Sequence, residues 1–278
     1  MKLAAAQIAP EIGDLRANVD KIRRFQQQAI DQGADLVIFP ELAVTGYAIG
    51  PFVQQCALKK EDPLFQELLE LSKKLPLIVG FVERSRRGRI YNAAALLDGA
   101  DIIHTHRKVY LPTYASWDEH KHFAKGKRLQ VFDYRGFRTA IFICNDFWYP
   151  SMGYLAACDD ADLFIVVANS SLDEKGMNPR AWDLLIRAPA TLYGSYVAFC
   201  NRVGNEHDWA FWGGSTIVGP QGQFDVVAGT GEEVICADID PQVVQEARDA
   251  LPLLRDIDVD FTLRELKEIA SRRVAEND

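Results

Sequence analysis

Three polar residues stand where apolar runs end, and their types together describe one kind of chemistry. Cys144 closes the run Thr139-Ala-Ile-Phe-Ile-Cys144 and is followed by the polar, turn-forming stretch Asn145-Asp-Phe-Trp-Tyr-Pro150. A cysteine at a strand-to-turn junction is displayed at a sheet edge, where the following backbone N–H groups favour a thiolate and a developing oxyanion. Glu41 follows Asp35-Leu-Val-Ile-Phe39 and Pro40, so its carboxyl lies just past the end of a buried strand. Partial desolvation there lifts a carboxyl pKa toward neutrality, which suits a general base. Lys108, in His106-Arg-Lys-Val-Tyr-Leu-Pro112, sits where another strand gives way to proline and offers an ammonium to a developing oxyanion. Each has an ordinary alternative when taken alone: a buried structural thiol, a helix-capping carboxylate and a solvated lysine. Cys56, Cys158, Cys200 and Cys236, in apolar surroundings, are assigned to the structural class.

The elements that must position these groups belong to an ordinary soluble chain. Of 278 residues, 48% are apolar and 25% charged, enough for a sizeable core. Lysine and arginine number 31 against 39 acidic residues, and the net charge of −8 opposes nucleic acid and anionic lipid as partners. No apolar run approaches the roughly 20 residues of a membrane helix. The start, Met1-Lys-Leu followed by strand-like Ala-Ala-Ala-Gln-Ile-Ala, lacks the pattern of a secretion signal, so a cytoplasmic location is expected. Five cysteines are an odd number spread thinly, which fits a reducing compartment and leaves at least one thiol free.

Strands and helices alternate along the first half. Leu3 to Ala9 is a strand; Asp14 caps a helix with Leu15, Val19, Ile22, Phe25 and Ala29 on one face, closed by Gly33. Asp35 to Phe39 is a second strand, Pro63 opens a second helix, and Leu77 to Val82, Arg89 to Leu97 and Asp101 to Lys108 return as strands. Leu129 to Tyr134 and Thr139 to Cys144 open the second half, where Ala161-Asp-Leu-Phe-Ile-Val166 echoes Ala34-Asp-Leu-Val-Ile-Phe39. The echo predicts two β-α-β halves related by an approximate two-fold. A helix from Asn178 toward Gly194 is expected to kink or split at Pro189. Tyr196 to Asn201, Ser215 to Val218, Phe224 to Ala228 and Val234 to Ile239 are late strands, and Pro241 to Ala250 is a closing helix. With no linker or composition break, one α/β domain over residues 1–278 is expected, its tail from 251 to 278 lying at a subunit interface.

The three segments, in this order, resemble those of the nitrilase superfamily of carbon–nitrogen hydrolases. The resemblance runs from Lys2 to about Ala250 and is carried by Phe39-Pro-Glu-Leu-Ala-Val-Thr-Gly-Tyr47, His106-Arg-Lys-Val-Tyr-Leu-Pro112 and Ile143-Cys-Asn-Asp-Phe-Trp148. Further similar segments are Gly80-Phe, Tyr91-Asn-Ala-Ala, Trp117-Asp-Glu-His-Lys-His-Phe123, Ala168-Asn-Ser170 and Gly214-Ser-Thr-Ile-Val-Gly-Pro220. The resemblance implies a four-layer αββα sandwich, usually paired across a subunit interface as a homodimer or higher homo-oligomer. It also implies a Glu41, Lys108 and Cys144 triad, with Glu119 as a second glutamate beside it. The chemistry that follows needs no metal or organic cofactor: Glu41 takes the thiol proton, Cys144 attacks, Lys108 and the Asn145 N–H hold the oxyanion, and a thioester is hydrolysed.

Cys144 is followed by Asn-Asp-Phe-Trp148 where true nitrilases of the superfamily usually have Trp-Glu, which points to a small carboxamide or N-carbamoyl substrate in preference to a nitrile. Trp148 and Leu111-Pro-Thr-Tyr114 are similar to the glutaminase domain of glutamine-dependent NAD synthetases. No phosphate-cradling glycine-rich segment accompanies them, so ammonia is expected to leave for solvent or a separate partner. Tyr47, Tyr114, Asn145, Trp148, Asn169 and Ser170 are the expected pocket residues, with Trp209, Phe211 and Trp212 as further aromatic candidates and Arg180 and Arg202 as partners for a substrate carboxylate. Two rivals differ in class. The pairs His104/His106 and His120/His122 could converge on zinc in a metal-dependent amidohydrolase, and a catalytically retired scaffold would keep the fold without turnover.

Overall fold

The structure, a computed structural model, describes residues 1–114, 117–172 and 177–275. Its strands are β1 (Lys2–Gln7), β2 (Leu36–Ile38), β3 (Leu77–Arg84), β4 (Ile90–Asp98), β5 (Asp101–Arg107), β6 (Val131–Tyr134), β7 (Phe137–Ile143), β8 (Leu163–Ala168), β9 (Tyr196–Asn201), β10 (Val203–Glu206), β11 (Trp209–Trp212), β12 (Thr216–Val218), β13 (Phe224–Val227) and β14 (Glu233–Asp238). The α-helices are α1 (Leu15–Asp31), α2 (Val53–Cys56), α3 (Pro63–Ser72), α4 (Pro150–Cys158), α5 (Met177–Tyr193), α6 (Pro241–Ala250) and α7 (Val259–Ala275).

Strand alternation builds the layers. In β1, Leu3 and Ala5 face the second sheet while Ala4 and Ala6 face α1 and α3, because successive side chains leave a strand on opposite sides. Leu36, Ile38 and Ile78 of the first sheet meet Ile141, Ile143, Leu163, Ile165 and Val167 of the second in one buried layer. The outer face of the first sheet is covered by Val19, Ile22 and Phe25 of α1 and Phe65 and Leu68 of α3. That of the second is covered by Met152 and Ala156 of α4 and Trp182, Ile186 and Ala190 of α5. The result is the expected αββα sandwich.

The two-fold repeat is visible in the strand order. The first sheet runs β14-β1-β2-β3-β4-β5 and the second β6-β7-β8-β9-β12-β13. Both read antiparallel, parallel, parallel, antiparallel, antiparallel across their neighbours. The echoing segments 34–39 and 161–166 hold β2 and β8, which occupy the same third place in each sheet. Both central strands are wholly buried, which is why their sequences converge on the same apolar run.

One expectation needs correction, and two elements were not foreseen. Helix α5 is continuous through Pro189; a proline costs one N–H bond, and Trp182, Ile186 and Ala190 hold the helix to the sheet on both sides of the defect. The tail contains a 17-residue helix, α7, whose Phe261, Leu263, Leu266 and Ile269 are exposed; Tyr154 Oη and Thr262 Oγ1, 2.8 Å apart, tie it to α4. Residues 276–278 of that tail lie outside the described residues. The antiparallel hairpin β10–β11 was not expected at all. No helix among the described residues is long and apolar enough to cross a membrane.

Candidate active site

Glu41 sits in the turn that leaves β2, fully buried, ahead of Leu42 in the left-handed region at φ 48°. Its backbone crosses directly over β3 at Gly80. A Cβ at Gly80 would lie 2.7 Å from Glu41 Cα and collide with Leu42 N and Pro40 O, so only glycine lets the turn settle at this depth. Gly80→Ala is therefore expected to displace the Glu41 carboxylate and cut kcat/KM by about a hundredfold with KM less affected, since misplacing a catalytic group by an ångström costs that much. Steady-state kinetics beside a thermal melt would separate this loss from unfolding.

Lys108 follows the last residue of β5, and its N–H donates to Asn92 O at 2.9 Å. Gly126 performs the same service here as Gly80 does for Glu41: its N–H donates to Lys108 O at 2.7 Å, and a Cβ would lie 3.0 Å from that oxygen and collide with Arg107 O. The Lys108 ammonium, 1% exposed, donates to Glu41 Oε1 and Glu119 Oε1, both at 2.7 Å. Glu41 Oε1 also accepts from Asn92 Nδ2 at 2.7 Å, and Oε2 from the Asn169 N–H at 2.9 Å. Glu119 is equally buried and accepts from Tyr47 Oη at 2.6 Å, which rules out an exposed loop carboxylate.

Cys144 joins β7 to the 3-10 turn Cys144–Trp148 with φ 43°, a conformation a non-glycine residue adopts only under constraint. Asp146 supplies the constraint. Its Oδ2 accepts from Ile143 N at 3.2 Å and pairs with His106 Nε2 at 2.9 Å, while Oδ1 accepts from the N–H groups of Val109 and Tyr110 at 2.9 and 2.8 Å. One buried carboxylate thus ties the Cys144 turn to the chain just after Lys108. Cys144, Lys108 and Glu119 line a single cavity of about 170 Å³, with Tyr47, Tyr114 and Trp117 among its walls.

A family model described as carbon-nitrogen hydrolase matches residues 2–249. The chain belongs to the carbon-nitrogen hydrolase family. Among its relatives, the glutamine-dependent NAD(+) synthetase of Acinetobacter baylyi is 31% identical over 224 residues, 80% of this chain and 41% of that protein. The chain spans about two-fifths of the length of the synthetases it matches. Two solved structures cover nearly its whole length: the NitN amidase of Nesterenkonia sp. AN1, 25% identical with TM-score 0.81 over 95% of this chain and 99% of that one, and Nit3 of Saccharomyces cerevisiae, a member of branch 10 of the nitrilase superfamily, 25% identical with TM-score 0.81 over 91% and 94%.

The electrostatics of the site in this family member follow from burial. The Cys144 thiol is pushed well above the usual range by desolvation and by the charge of Glu41, with Lys108 opposing. Burial alone would push the Lys108 ammonium down, but Glu119 and Glu41 outweigh it and hold it above its ordinary value. Glu119 is pushed up to about 7 by burial, with Lys108 opposing and Glu41 adding to the rise. Its folded state holds a proton that the unfolded chain, near 4.5, has released. Glu119 therefore contributes stability that is full below about pH 4.5 and is lost as pH rises through about 7. Subtracting the pH–stability curve of Glu119→Gln from that of the wild type is expected to leave a downward slope in that window; a flat difference would contradict the assignment.

Most expected pocket residues converge. Tyr47, Tyr114, Asn145, Trp148, Asn169 and Ser170 all line the cavity. Tyr114 Oη donates to Asn145 Oδ1 at 3.2 Å, and Asn145 Nδ2 to Tyr110 O at 3.0 Å. Ser170 Oγ accepts from Trp182 Nε1 at 2.8 Å and Trp212 Nε1 at 3.2 Å, so it serves the wall more than the ligand. Both side-chain polar atoms of Asn169 and Oε2 of Glu119 are buried without a partner among the described residues. Sequence reasoning missed Asn92 and Asp146 as supports, and Trp117 and Asn178 as lining. Trp117 stacks at a tilt on Trp209 at 4.4 Å, and Trp209 lies 5.3 Å from Tyr47.

Others do not converge. Arg202 is fully buried and pairs with Glu206, whose carboxylate accepts from Tyr47 N at 3.0 Å and Ala48 N at 2.8 Å. It braces the Tyr47 loop and is not free to meet a substrate carboxylate. Phe211 lies under that guanidinium at 4.2 Å, and Arg180 is exposed and absent from the cavity's lining. The histidine pairs also part company. His106 is committed to Asp146, and His104, pushed down to about 4 by burial and by His106, stacks on Phe132 at 4.2 Å. His120 is exposed, and among the described residues no group of three or more His, Cys, Asp or Glu side chains is placed to hold a metal ion.

Proposed function

We propose that this chain hydrolyses a small, neutral carboxamide through a thioester on Cys144. The observation that carries the reading is the buried Glu41, Lys108 and Glu119 network opening onto the same 170 Å³ cavity as the Cys144 thiol. Because burial and Glu41 hold the resting thiol protonated, the proton must leave as the S–C bond forms. Glu41 takes it, and the carbonyl oxygen becomes an oxyanion held by Lys108 and the Asn145 N–H. Collapse breaks the C–N bond, Glu41 returns the proton to the departing nitrogen, and ammonia leaves. A water then loses a proton to Glu41 and attacks the thioester; the C–S bond breaks, sulfur regains the proton, and the carboxylic acid is released. Glu119 orients Lys108 through Oε1, and its free Oε2 accepts from the substrate amide N–H, as does Asn169 Oδ1.

Size and charge select the substrate. The cavity is below the usual range for larger ligands, about 300 Å³ upward. Among its described lining residues the sole cation is Lys108, already committed to two carboxylates. An N-carbamoyl amino acid or a glutamine would bring a carboxylate with no free cation to meet it among the described lining residues. The 25% identity to a solved amidase supports the amide reading. A second reading, glutamine amide hydrolysis with ammonia passed to a separate synthetase, is supported by the 31% identity to an NAD(+) synthetase. Both belong to one domain spanning 1–278 that pairs as a cytoplasmic homo-oligomer with its tail at the interface. Ammonia release from acetamide, propionamide, N-carbamoylglycine, L-glutamine and propionitrile tests the choice. The neutral amides are expected to show the highest kcat/KM; faster turnover of glutamine or the carbamoyl compound overturns it.

A further inference from the structure

A cleft of about 490 Å³, larger than the catalytic cavity, opens at the edge of the first sheet between the segment before α3 and the turn joining β3 to β4. It shares no lining residue with the catalytic cavity. Seven cationic side chains and two carboxylates wall it, on a chain whose net charge is −8. Three of the cations are engaged: Arg107 with Glu83 at 2.5 Å, Arg84 with Gln54, and Lys60 with Glu61 at 3.9 Å. The other four, Lys59, Arg86, Arg87 and Arg89, have no ion pair or side-chain hydrogen bond among the described residues.

Gathering four unpaired cations around one concavity is repulsive, and a wall of one sign focuses its field into the space it encloses. Solvation of scattered surface charges would explain isolated arginines. It does not explain their concentration in one cleft of an acidic protein. We propose that this cleft binds a small polyanion carrying two or more phosphate or carboxylate groups. Its volume is that of a small-molecule site, and an extended polyanion such as nucleic acid would meet the acidic remainder of the surface.

Titration calorimetry of the full chain with inorganic pyrophosphate and with citrate, against ionic-strength-matched chloride, tests this. One saturable site is expected, its affinity falling as salt rises. The triple variant Arg86→Ala, Arg87→Ala, Arg89→Ala changes exposed residues only and spares Arg107, which adjoins Lys108. It should weaken binding by about tenfold or more, whereas Arg264→Ala, Arg272→Ala, Arg273→Ala on α7, with the same change in net charge, should leave it unchanged. The tighter of the two anions assigns the group recognised. Saturable binding by neither anion, or equal weakening in both variants, overturns the proposal.

Discussion

Replacing Cys144 with alanine is expected to lower amide turnover by about 10⁵-fold or more while leaving the fold intact. The size of the loss follows from the step removed: without sulfur no thioester forms, and the remaining groups can only polarise a bound amide. The stability follows from the charge state of the site. The thiol is held protonated by burial and by Glu41, so its removal strands no ion, and the Glu41, Lys108 and Glu119 network keeps every hydrogen bond it makes now. Ammonia release and a denaturant titration on the same preparation check both halves. A variant that unfolds, or one that retains turnover, contradicts the account.

Lys108→Met is expected to fail in both respects, which distinguishes it from the cysteine variant. Methionine matches the length of the lysine stem but leaves Glu41 and Glu119 facing each other without the ammonium that both now bind at 2.7 Å. Removing one partner of a buried ion pair costs about 3–5 kcal/mol, because the other charge stays desolvated. Turnover should fall by about 10³-fold, as for loss of one oxyanion donor. The destabilisation should also shrink as the pH falls through about 7, since Glu119, pushed up to about 7 by burial, takes up a proton and the repulsion that the variant exposes is removed. Urea titrations at two pH values would show this, and a variant as stable as the wild type would contradict the buried network.

The convergence of Glu41, Lys108 and Cys144 was legible because each interrupts an apolar run at a strand end, and a burst of polarity there has few structural uses; the structure pairs Lys108 with Glu41 and lines one cavity with Lys108 and Cys144. The layered fold was legible for a related reason: β2 and β8 are buried on both faces, so their sequences are nearly pure apolar runs and echo each other. Supports were harder to see. Asn92 lies inside β4 amid alanines, and only the partner at Glu41 Oε1 gives it a role. Asp146 stands in full view beside Cys144, yet its work is to join segments 36 residues apart, which no local pattern encodes. Arg202 and Glu206 look like surface charges until burial shows them closing over the Tyr47 loop. Helix α7 was passed over because its apolar residues are exposed and its charges dominate the segment.

The central claim, an acyl-enzyme on Cys144, is tested most directly by partition. Hydroxylamine added during turnover competes with water for the thioester, giving hydroxamate in place of acid. For amides that share one acyl group but differ in the departing amine, the account predicts one hydroxamate-to-acid ratio at a given hydroxylamine concentration, because all pass through the same thioester, and no product from Cys144→Ala. A ratio that follows the leaving group would mean that nucleophiles attack the bound amide directly, and Cys144 would not be the nucleophile.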